Sequence, residues 1–279
     1  MSWSSLGQII KILTRRKVTL VGLTMVMIWV VLAVAAPLVT AYPPNTEYAD
    51  AVNEGPTLQH WLGTDSKGRD VWSRIVFGSR TILTLAPLSV LCALVVGVTL
   101  GLLAGYHGGW VDELVMRVVD IIMAFPTILL YMIIIVSMGA SAINVAIAIT
   151  VAGAPGIARL VRSLTLDIRT RDYIAASILQ GERPLYIMFV QILPNASGPL
   201  LVDSMLRVGY AVFAIGTLGF LGLGLPPPSP DWGSMVNLAR RFVWTNPWAV
   251  LFPSAAIASL VIGLNLLADG LQESLNQYR

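Results

Sequence analysis

Residues 121–158 read IIMAFPTILLYMIIIVSMGASAINVAIAITVAGAPGIA, without one charged side chain. About 20 helical residues cross a hydrocarbon core of about 30 Å, so this run is too long for one membrane helix and fits two. Gly139, Ala140 and Ser141 are the expected turn between them. Only helices and closed barrels satisfy their backbone groups inside a bilayer, and barrel strands would show short alternating segments instead. The run therefore predicts two consecutive membrane helices.

The whole chain has the composition of a membrane protein. Of its 279 residues, 56% are hydrophobic and 12% are charged, whereas a soluble domain is about 45–50% apolar and about 25% charged. Disorder is excluded because it needs low hydrophobicity and high net charge. The single cysteine, Cys92, cannot form an intramolecular disulfide, and His60 and His107 are too isolated for a histidine-rich metal site.

Four more apolar runs complete an expected all-α polytopic membrane protein with about six transmembrane helices. They cover residues 18–41, 81–105, 198–222 and 247–268. The first run is longer than the apolar core of a cleaved signal peptide, which is about 7–15 residues. Residues 184–202 are also uncharged, but prolines interrupt them. The piece before Pro194 is about half a span and is expected to form a surface or re-entrant helix that enters the fifth span, and a seventh span is the alternative.

Lysine and arginine set the expected orientation. If the N-terminus lies inside, the inner segments carry 11 of these residues and the outer segments carry six. Positive charge is retained on the cytoplasmic side, so both termini are expected in the cytoplasm. The chain then divides into a cytoplasmic segment 1–17, a first transmembrane helix 18–41, an extracytoplasmic loop 42–80, and a core 81–279 that holds five transmembrane helices and a cytoplasmic loop 159–195.

The sequence lacks the motifs of an ATPase or of an enzyme. It has no Gly-x-x-x-x-Gly-Lys-Ser/Thr phosphate loop, and its acid, base and nucleophilic residues are not grouped. Secondary transporters use ionisable groups within the membrane as a relay, but these spans are nearly free of them. Asp203 and Arg207 are the exception, and their spacing places them on one helix face, where they can pair. We interpret them as a pair near the cytoplasmic end of the fifth span, and a role in a translocation path is the alternative.

Residues 169–195 read RTRDYIAASILQGERPLYIMFVQILPN. The pattern predicts a short helix with Asp172 as its N-cap, a turn at Gly181, where positive φ is tolerated, and a second short helix that ends at Pro194. The small side chains of the first helix would let another protein approach closely. This loop is therefore the expected docking site for a soluble partner.

Residues 60–74 read HWLGTDSKGRDVWSR, and ion pairs are expected between Asp65 and Arg69 and between Asp70 and Arg74. The segment forms either a self-bonded loop cap or a contact surface for an external binding protein.

Two other residue types have expected structural roles. Glycines between residues 216 and 224 permit close helix packing, which is preferred here to ligand binding. Tryptophans near the predicted span ends indicate an interfacial belt. These tryptophans are Trp61, Trp72, Trp110, Trp232, Trp244 and Trp248.

Four segments resemble those of one family. Residues 169–195 resemble the Glu-Ala-Ala loop of ABC importer permeases, and residues 60–74 resemble the LGTDxxGRDxxSR stretch of peptide and nickel permeases. Residues 220–233 resemble their FLGLG and P-x-WG motifs, and residues 265–273 resemble their NLLGDGLRD end. The chain is thus similar to the C-type permease subunit of dipeptide, oligopeptide or nickel ABC importers, in the family of binding-protein-dependent transport inner-membrane components.

The loop departs from the family pattern at two positions. Ala175 stands where the family normally has Glu, and Ser177 replaces the second Ala. A Glu at position 175 would complete a capping box with Asp172. This chain lacks that acidic contact, and Asp172 or Glu182 is the alternative source of charge.

The resemblance assigns roles to two groups of residues. The loop that docks on the ATPase subunit contains Asp172, Tyr173, Ile174, Ala175, Ala176, Ser177, Gly181, Ile192, Leu193, Pro194 and Asn195. The outer-loop motif contains Gly63, Thr64, Asp65, Gly68, Arg69, Asp70, Ser73 and Arg74.

The resemblance also implies the partners. They are a second homologous permease subunit, two ATP-binding subunits, an extracytoplasmic substrate-binding protein and the lipid of a bacterial inner membrane, with no nucleic acid. ATP and Mg²⁺ are expected in the partner subunits, and this chain is expected to bind no cofactor or metal and to be no enzyme by itself. Small peptides are the expected substrate, and a nickel or metal chelate or another small solute is the alternative. Outside the family, the alternatives are an ATP-independent carrier or channel and a membrane enzyme or assembly factor.

Overall fold

The computed structural model describes residues 17–276, which form helices joined by irregular segments. The nine main helices are α1 Lys17–Val34, α2 Val71–His107, α3 Gly109–Met123, α4 Thr127–Met138, α5 Ala142–Arg169, α6 Asp172–Leu179, α7 Pro184–Phe220, α8 Trp232–Ala239 and α9 Trp248–Asn276. Single turns lie at Ala36–Val39, Ala49–Ala51 and Arg240–Phe242. Within the described range the only β-pairing is one isolated bridge, between Thr64 and Asp70. The predicted all-α class is therefore confirmed, while nearly all of the predicted segment 1–17 lies outside the described residues.

Five of these helices are long and apolar enough to cross a membrane: α1, α2, α5, α7 and α9. The helices α3 and α4 meet at an angle of 87° and supply a sixth crossing if they are counted as one broken span. Pro126 explains the break, because proline lacks a backbone donor and disfavours a helical residue before it. The count of about six agrees with the prediction, and the alternative of seven has no further candidate among the described helices.

Helix α2 begins at Val71 and not at Thr81, where the second span was expected. Asp70 is its N-cap, and the Asp70 carboxylate accepts a hydrogen bond from the Ser73 N–H at 2.7 Å. The last part of the predicted loop 42–80 is therefore helical. Sequence hydropathy missed this start because Arg74 and Arg80 interrupt the apolar pattern.

Helix α7 is continuous from Pro184 to Phe220, so the piece before Pro194 runs directly into the fifth span, as expected, without a break between two helices. Residues Ile187–Ile192 wind as a π-helix, and Pro194 follows at the start of the regular α-helical part. Proline removes one backbone donor, and the wider turn before it accommodates the change without ending the helix. The predicted loop 159–195 is shorter at both ends, because α5 continues to Arg169 and α7 begins at Pro184.

A stripe of three glycines on α2 joins this helix to α5 along much of its length. A Cβ atom at Gly97, Gly101 or Gly105 would lie within 2.7 Å of an atom of α5. The contact moves along α5 in the same direction as along α2, so the two helices are parallel. Glycines four residues apart let two membrane helices approach at backbone distance, where van der Waals packing is strongest.

The two ends of the bundle carry different elements. Helix α1 runs antiparallel to α9, with Thr19 beside Gly270 and the Trp29 indole donating to Ser259 Oγ at 3.0 Å. The start of α1 and the end of α9 therefore lie at one end, which also carries α6 and is called here the α6 end. Residues 40–70 and α8 lie at the opposite end, called here the loop end.

Candidate functional site

Residues 60–74 form a buried, self-bonded cap at the loop end. Asp65 accepts hydrogen bonds from the backbone of Lys67 and Arg69, at 2.9 and 3.0 Å, and from Arg69 Nε at 2.8 Å. The structure thus contains the expected Asp65–Arg69 pair. Gly68 has φ +73°, and a Cβ there would collide with the Tyr48 carbonyl. Only glycine fits this turn without strain.

The expected pair of Asp70 and Arg74 is absent, because the Asp70 carboxylate is turned to the helix start. It accepts from the Ser73 N–H, and its Oδ1 lies 2.9 Å from His60 Nδ1. Arg74 instead donates through Nη1 to the carbonyl of Pro44, at 3.0 Å, and to Asn45 Oδ1, at 2.9 Å. These buried contacts favour the loop-cap interpretation for the motif itself.

Among the remaining motif residues, Thr64 is buried, and Thr64 Oγ1 accepts from the Glu54 N–H at 3.0 Å. Gly63 has φ +77° and a backbone pressed against residues 54–55. The exposed apolar rim of the loop end lies outside the motif core and contains Leu58, Trp61 and Trp244.

Residues 216–234 pack α8 tightly against α7. The buried Asp231 caps α8 by accepting from the N–H of Gly233, at 3.3 Å, and of Ser234, at 3.2 Å. Burial raises the pKa of the Asp231 carboxyl, against the opposing effect of the bonds from Ser234 and Gly233 and the charge of Arg74. Gly216 lies directly under Gly233. The glycines of this segment therefore serve helix packing, as preferred from the sequence.

Trp232 is not part of an interfacial belt, contrary to expectation. It is fully buried, its Nε1 donates to the Ile75 carbonyl at 2.9 Å, and its ring lies 4.8 Å from that of Trp29. Trp110 and Trp244 are exposed, as an interfacial position requires.

Helix α6 and the turn after it, residues 172–183, form a projection that we call the α6 knob. Ile174 is fully buried and anchors the helix, whereas Leu179 is 88% exposed and Ile178 is 48% exposed. Arg171 is the N-cap and makes no side-chain capping bond, so the prediction of Asp172 as N-cap is wrong. Asp172 is the first helical residue, where its negative charge interacts favourably with the helix dipole.

The turn of the α6 knob has a defined stop signal. Gly181 has φ +77°, its N–H donates to the Ile178 carbonyl at 3.0 Å, and the Glu182 N–H donates to the Ser177 carbonyl at 3.1 Å. These two bonds are those of a Schellman motif, in which a left-handed residue ends a helix. The predicted break at Gly181 therefore has a physical cause in this structure.

The other members of the predicted docking loop divide between the knob and α7. Tyr173, Ala175 and Ala176 lie on the exposed side of the knob. Ser177 Oγ accepts from Gln191 Nε2 at 2.9 Å and ties the knob to α7. The remaining four residues lie within α7 and not in the knob: Ile192, Leu193, Pro194 and Asn195.

A cavity of about 400 Å³ lies between α2, α4, α5 and α7. Its walls are mostly apolar, with Val90 from α2 and Ile149 from α5. Polar groups come from Tyr131 of α4 and from Arg207 and Thr217 of α7. A mostly apolar cavity with a few placed polar groups is the usual form of a small-molecule site.

Asp203 and Arg207 form an ion pair at the wall of this cavity, with Arg207 Nε donating to Asp203 Oδ2 at 2.5 Å. Arg207 Nη1 also donates to the Gly153 carbonyl at 3.2 Å. The regular part of α7 is Leu193–Phe220, and Arg207 lies 14 residues after its start and 13 before its end. The structure thus contains the expected ion pair, and its position near the cytoplasmic end of the span stays a prediction.

Some contacts that build the site had no usable signal in the sequence. Asn246 is buried, and its Nδ2 donates to the carbonyls of Glu54, at 3.0 Å, and Thr64, at 3.1 Å, which joins the start of α9 to the loop-end cap. Asn246 and these carbonyls are far apart in the chain, so no local sequence pattern predicts their contact. The glycine stripe on α2 was visible as a four-residue repeat and could have been predicted. No group of three or more His, Cys, Asp or Glu side chains that could hold a metal occurs in the part of the chain that the structure describes.

Five helices that can cross a membrane, or six with the bent pair, place the chain in the class of polytopic membrane proteins. Residues 97–278 match the family described as binding-protein-dependent transport system inner membrane component, and residues 4–56 match the N-terminal TM domain of oligopeptide transport permease C. The chain belongs to the binding-protein-dependent transport system inner membrane component family, as the resemblance implied, and is a multi-pass membrane permease.

Several curated relatives cover most of the chain. A dipeptide transport system permease protein DppC from Alkalihalophilus pseudofirmus is 41% identical over 95% of this chain and 88% of the relative. A glutathione transport system permease protein GsiD from Pectobacterium atrosepticum is 43% identical over 81% of this chain and 75% of the relative. A di/tripeptide transport system permease protein DppC from Pseudomonas aeruginosa is 38% identical over 91% and 86%.

The fold is also similar to a solved structure. An inward-facing form of the MetNI methionine ABC transporter matches with a TM-score of 0.58 and 22% identity, over 72% of this chain and 95% of that chain. The similarity places the helices of this chain in the permease fold of an ABC transporter.

Proposed function

We propose that this chain is one of two permease subunits of an ATP-driven importer of small peptides. Three relatives are named as dipeptide, di/tripeptide and glutathione permeases, and glutathione is itself a short peptide. The second permease subunit completes the translocation path, and a substrate-binding protein delivers the peptide.

The α6 knob is the observation that carries the proposal of ATP coupling. It exposes Tyr173, Ile178 and Leu179 while Ile174 holds it to the bundle. An exposed apolar helix end on a rigid anchor fits a groove on a soluble ATPase subunit. ATP and Mg²⁺ belong to that subunit, because the present sequence has no phosphate loop.

The position of the knob supports a lever mechanism. Short connections join α6 to Arg169 of α5 on one side and to Pro184 of α7 on the other. Both helices line the central cavity. A displacement of the knob by the ATPase subunits would therefore move two walls of the cavity, which is the motion that alternating access needs.

The orientation follows from the same assignment. The α6 end lies in the cytoplasm, with both termini, and the loop end lies on the outer face of a bacterial inner membrane. The excess of Lys and Arg on the segments of the α6 end supports this orientation. The exposed rim of Leu58, Trp61 and Trp244 at the loop end is then the surface that meets the binding protein.

The proposal is tested with the complete transporter in proteoliposomes. The two permease subunits, the ATPase subunits and the binding protein are reconstituted, and uptake of a labelled dipeptide, a tripeptide and a nickel chelate is measured with and without internal ATP. We expect ATP-dependent uptake of the peptides. Uptake of the chelate alone would select the metal-chelate alternative, and uptake without any ATPase subunit would select a carrier or channel.

A further inference from the structure

Arg207 has a place in the bundle that its packing role does not explain. It lines the cavity between α2, α4, α5 and α7. Ionisable side chains within membrane spans face the bundle interior or a water-filled path and mark substrate routes.

The guanidinium of Arg207 is held on one side by fixed partners. Asp203 receives its Nε, and the Gly153 carbonyl receives its Nη1. Gly156 lies under the group, and a Cβ there would be 3.0 Å from Nη2. The missing side chain of Gly156 thus leaves room on α5 for the guanidinium.

One nitrogen of the guanidinium, Nη2, is left for a ligand. Arginine offers five N–H donors in a planar fork, and Nη2 has no hydrogen-bond partner within residues 17–276. The side chain is 22% exposed although it lies among membrane helices. Tyr131 and Thr217 contribute hydroxyl groups to the same cavity.

We infer that Arg207 binds the carboxylate of the transported peptide while the peptide passes through the cavity. The inference rests on the proposed function, since a free peptide carries a C-terminal carboxylate. Arginine binds carboxylates through two parallel charge-assisted hydrogen bonds, which a lysine cannot reproduce. Asp203 positions the guanidinium and balances its charge when no peptide is bound.

The test compares a dipeptide with its C-terminal amide in the reconstituted transporter. Initial ATP-dependent uptake of both is measured with saturating, loaded binding protein for wild type, R207Q and R207K. The binding protein is the same in every arm, so its own preference cancels when the acid-to-amide ratio of a variant is divided by that of wild type. We expect R207Q to lower this ratio about tenfold, the equivalent of one lost charge-assisted hydrogen bond, and R207K to give an intermediate value.

A matched control breaks another pair of the same spacing. Arg117 contacts Glu113 at 3.3 Å on α3, both side chains are exposed, and neither lines the cavity. The variant R117Q is expected to keep the wild-type ratio. G156A keeps both charged residues and places a Cβ 3.0 Å from Arg207 Nη2, so it shifts the guanidinium slightly and is expected to lower the ratio by less than R207Q does.

The outcomes separate the two proposals. If R207Q lowers uptake of the acid and the amide equally, or changes neither, the carboxylate role is refuted and Arg207 only stabilises the bundle. If R207Q does not assemble with its partners, R207K and G156A decide by the same ratio. If the wild-type transporter takes up neither peptide, the proposed function itself fails.

Discussion

Gly181 gives a direct test of the α6 knob. The residue is exposed, it has φ +77°, and no atom lies within 4 Å of the Cβ that a substitution would add. The variant G181V therefore meets no steric obstacle from neighbouring residues. Its effect comes only from the backbone, because the Schellman turn requires a left-handed residue.

The size of that effect follows from backbone sterics. The left-handed conformation costs an L-residue about 1–2 kcal/mol, which changes the population of the native turn by a factor of about 5–30. Because valine is β-branched, its cost in this conformation lies at the high end of that range. Asparagine tolerates the left-handed region, so G181N is the control that adds a side chain at little cost to the turn. We expect G181V to displace the knob while the helical bundle keeps its stability.

The assay has three readouts on the same complexes. Thermal unfolding in detergent reports the bundle, co-purification reports ATPase docking, and proteoliposome uptake reports coupling. We expect G181V to keep its melting temperature and to lose docking or uptake by about 5-fold or more, the low end of the population change, with G181N close to wild type. Wild-type docking and uptake in G181V would refute the lever assignment, and so would equal losses in G181N and G181V.

Three further predictions concern stability. G101L is expected to lower the melting temperature sharply, because even a Cβ at this position would lie 2.6 Å from the backbone of α5, and overpacking costs about 1–3 kcal/mol; an unchanged melting curve would contradict the packing of α2 on α5. W232F is expected to lose about 1–3 kcal/mol, because the buried Ile75 carbonyl loses its donor, and chemical unfolding of the purified chain measures it. For Asp231, the folded-state pKa is raised above 3.8, so the folded state binds the proton more tightly and its stability falls as pH rises from 3.8 through the raised value. D231N removes this titration, so the melting temperature of wild type minus that of D231N is expected to fall over that window; a difference that is constant with pH would contradict the raised pKa.

The membrane helices were predictable from the sequence because hydropathy is a local property. The absence of charge over residues 121–158, together with the length of this run, predicted two helices and the turn between them. The break at Pro126 was also local, but its 87° angle could not be read from the sequence. The start of α2 was missed because this stretch carries a cap at Asp70 and two arginines in place of an apolar pattern. Arg74 binds the carbonyl of Pro44 in the loop, and Arg80 binds the carbonyl of Ala33 at the end of α1.

The site was predictable only in part, since its geometry depends on neighbours that are distant in sequence. The i,i+4 rule placed Asp203 beside Arg207 but could not show that α4 and α5 leave a cavity at that height. The same rule failed for Asp70 and Arg74, where a helix cap took the carboxylate. The roles of Gly153 and Gly156 could be recognised only from their contacts with the Arg207 guanidinium.

The glycine stripe at Gly97, Gly101 and Gly105 also limits how the bundle can open. Helices α2 and α5 touch backbone to backbone along this line, so we expect them to move as one rigid unit. Sliding or separating them would open gaps that no side chain fills. Gly156 and the Gly153 carbonyl belong to α5 and hence to this unit, while Arg207 belongs to α7. If the bundle opens by rotation of α7 against this rigid unit, the Arg207 guanidinium would therefore move away from its contacts on α5. The positive charge would then move together with the cavity wall that α7 forms.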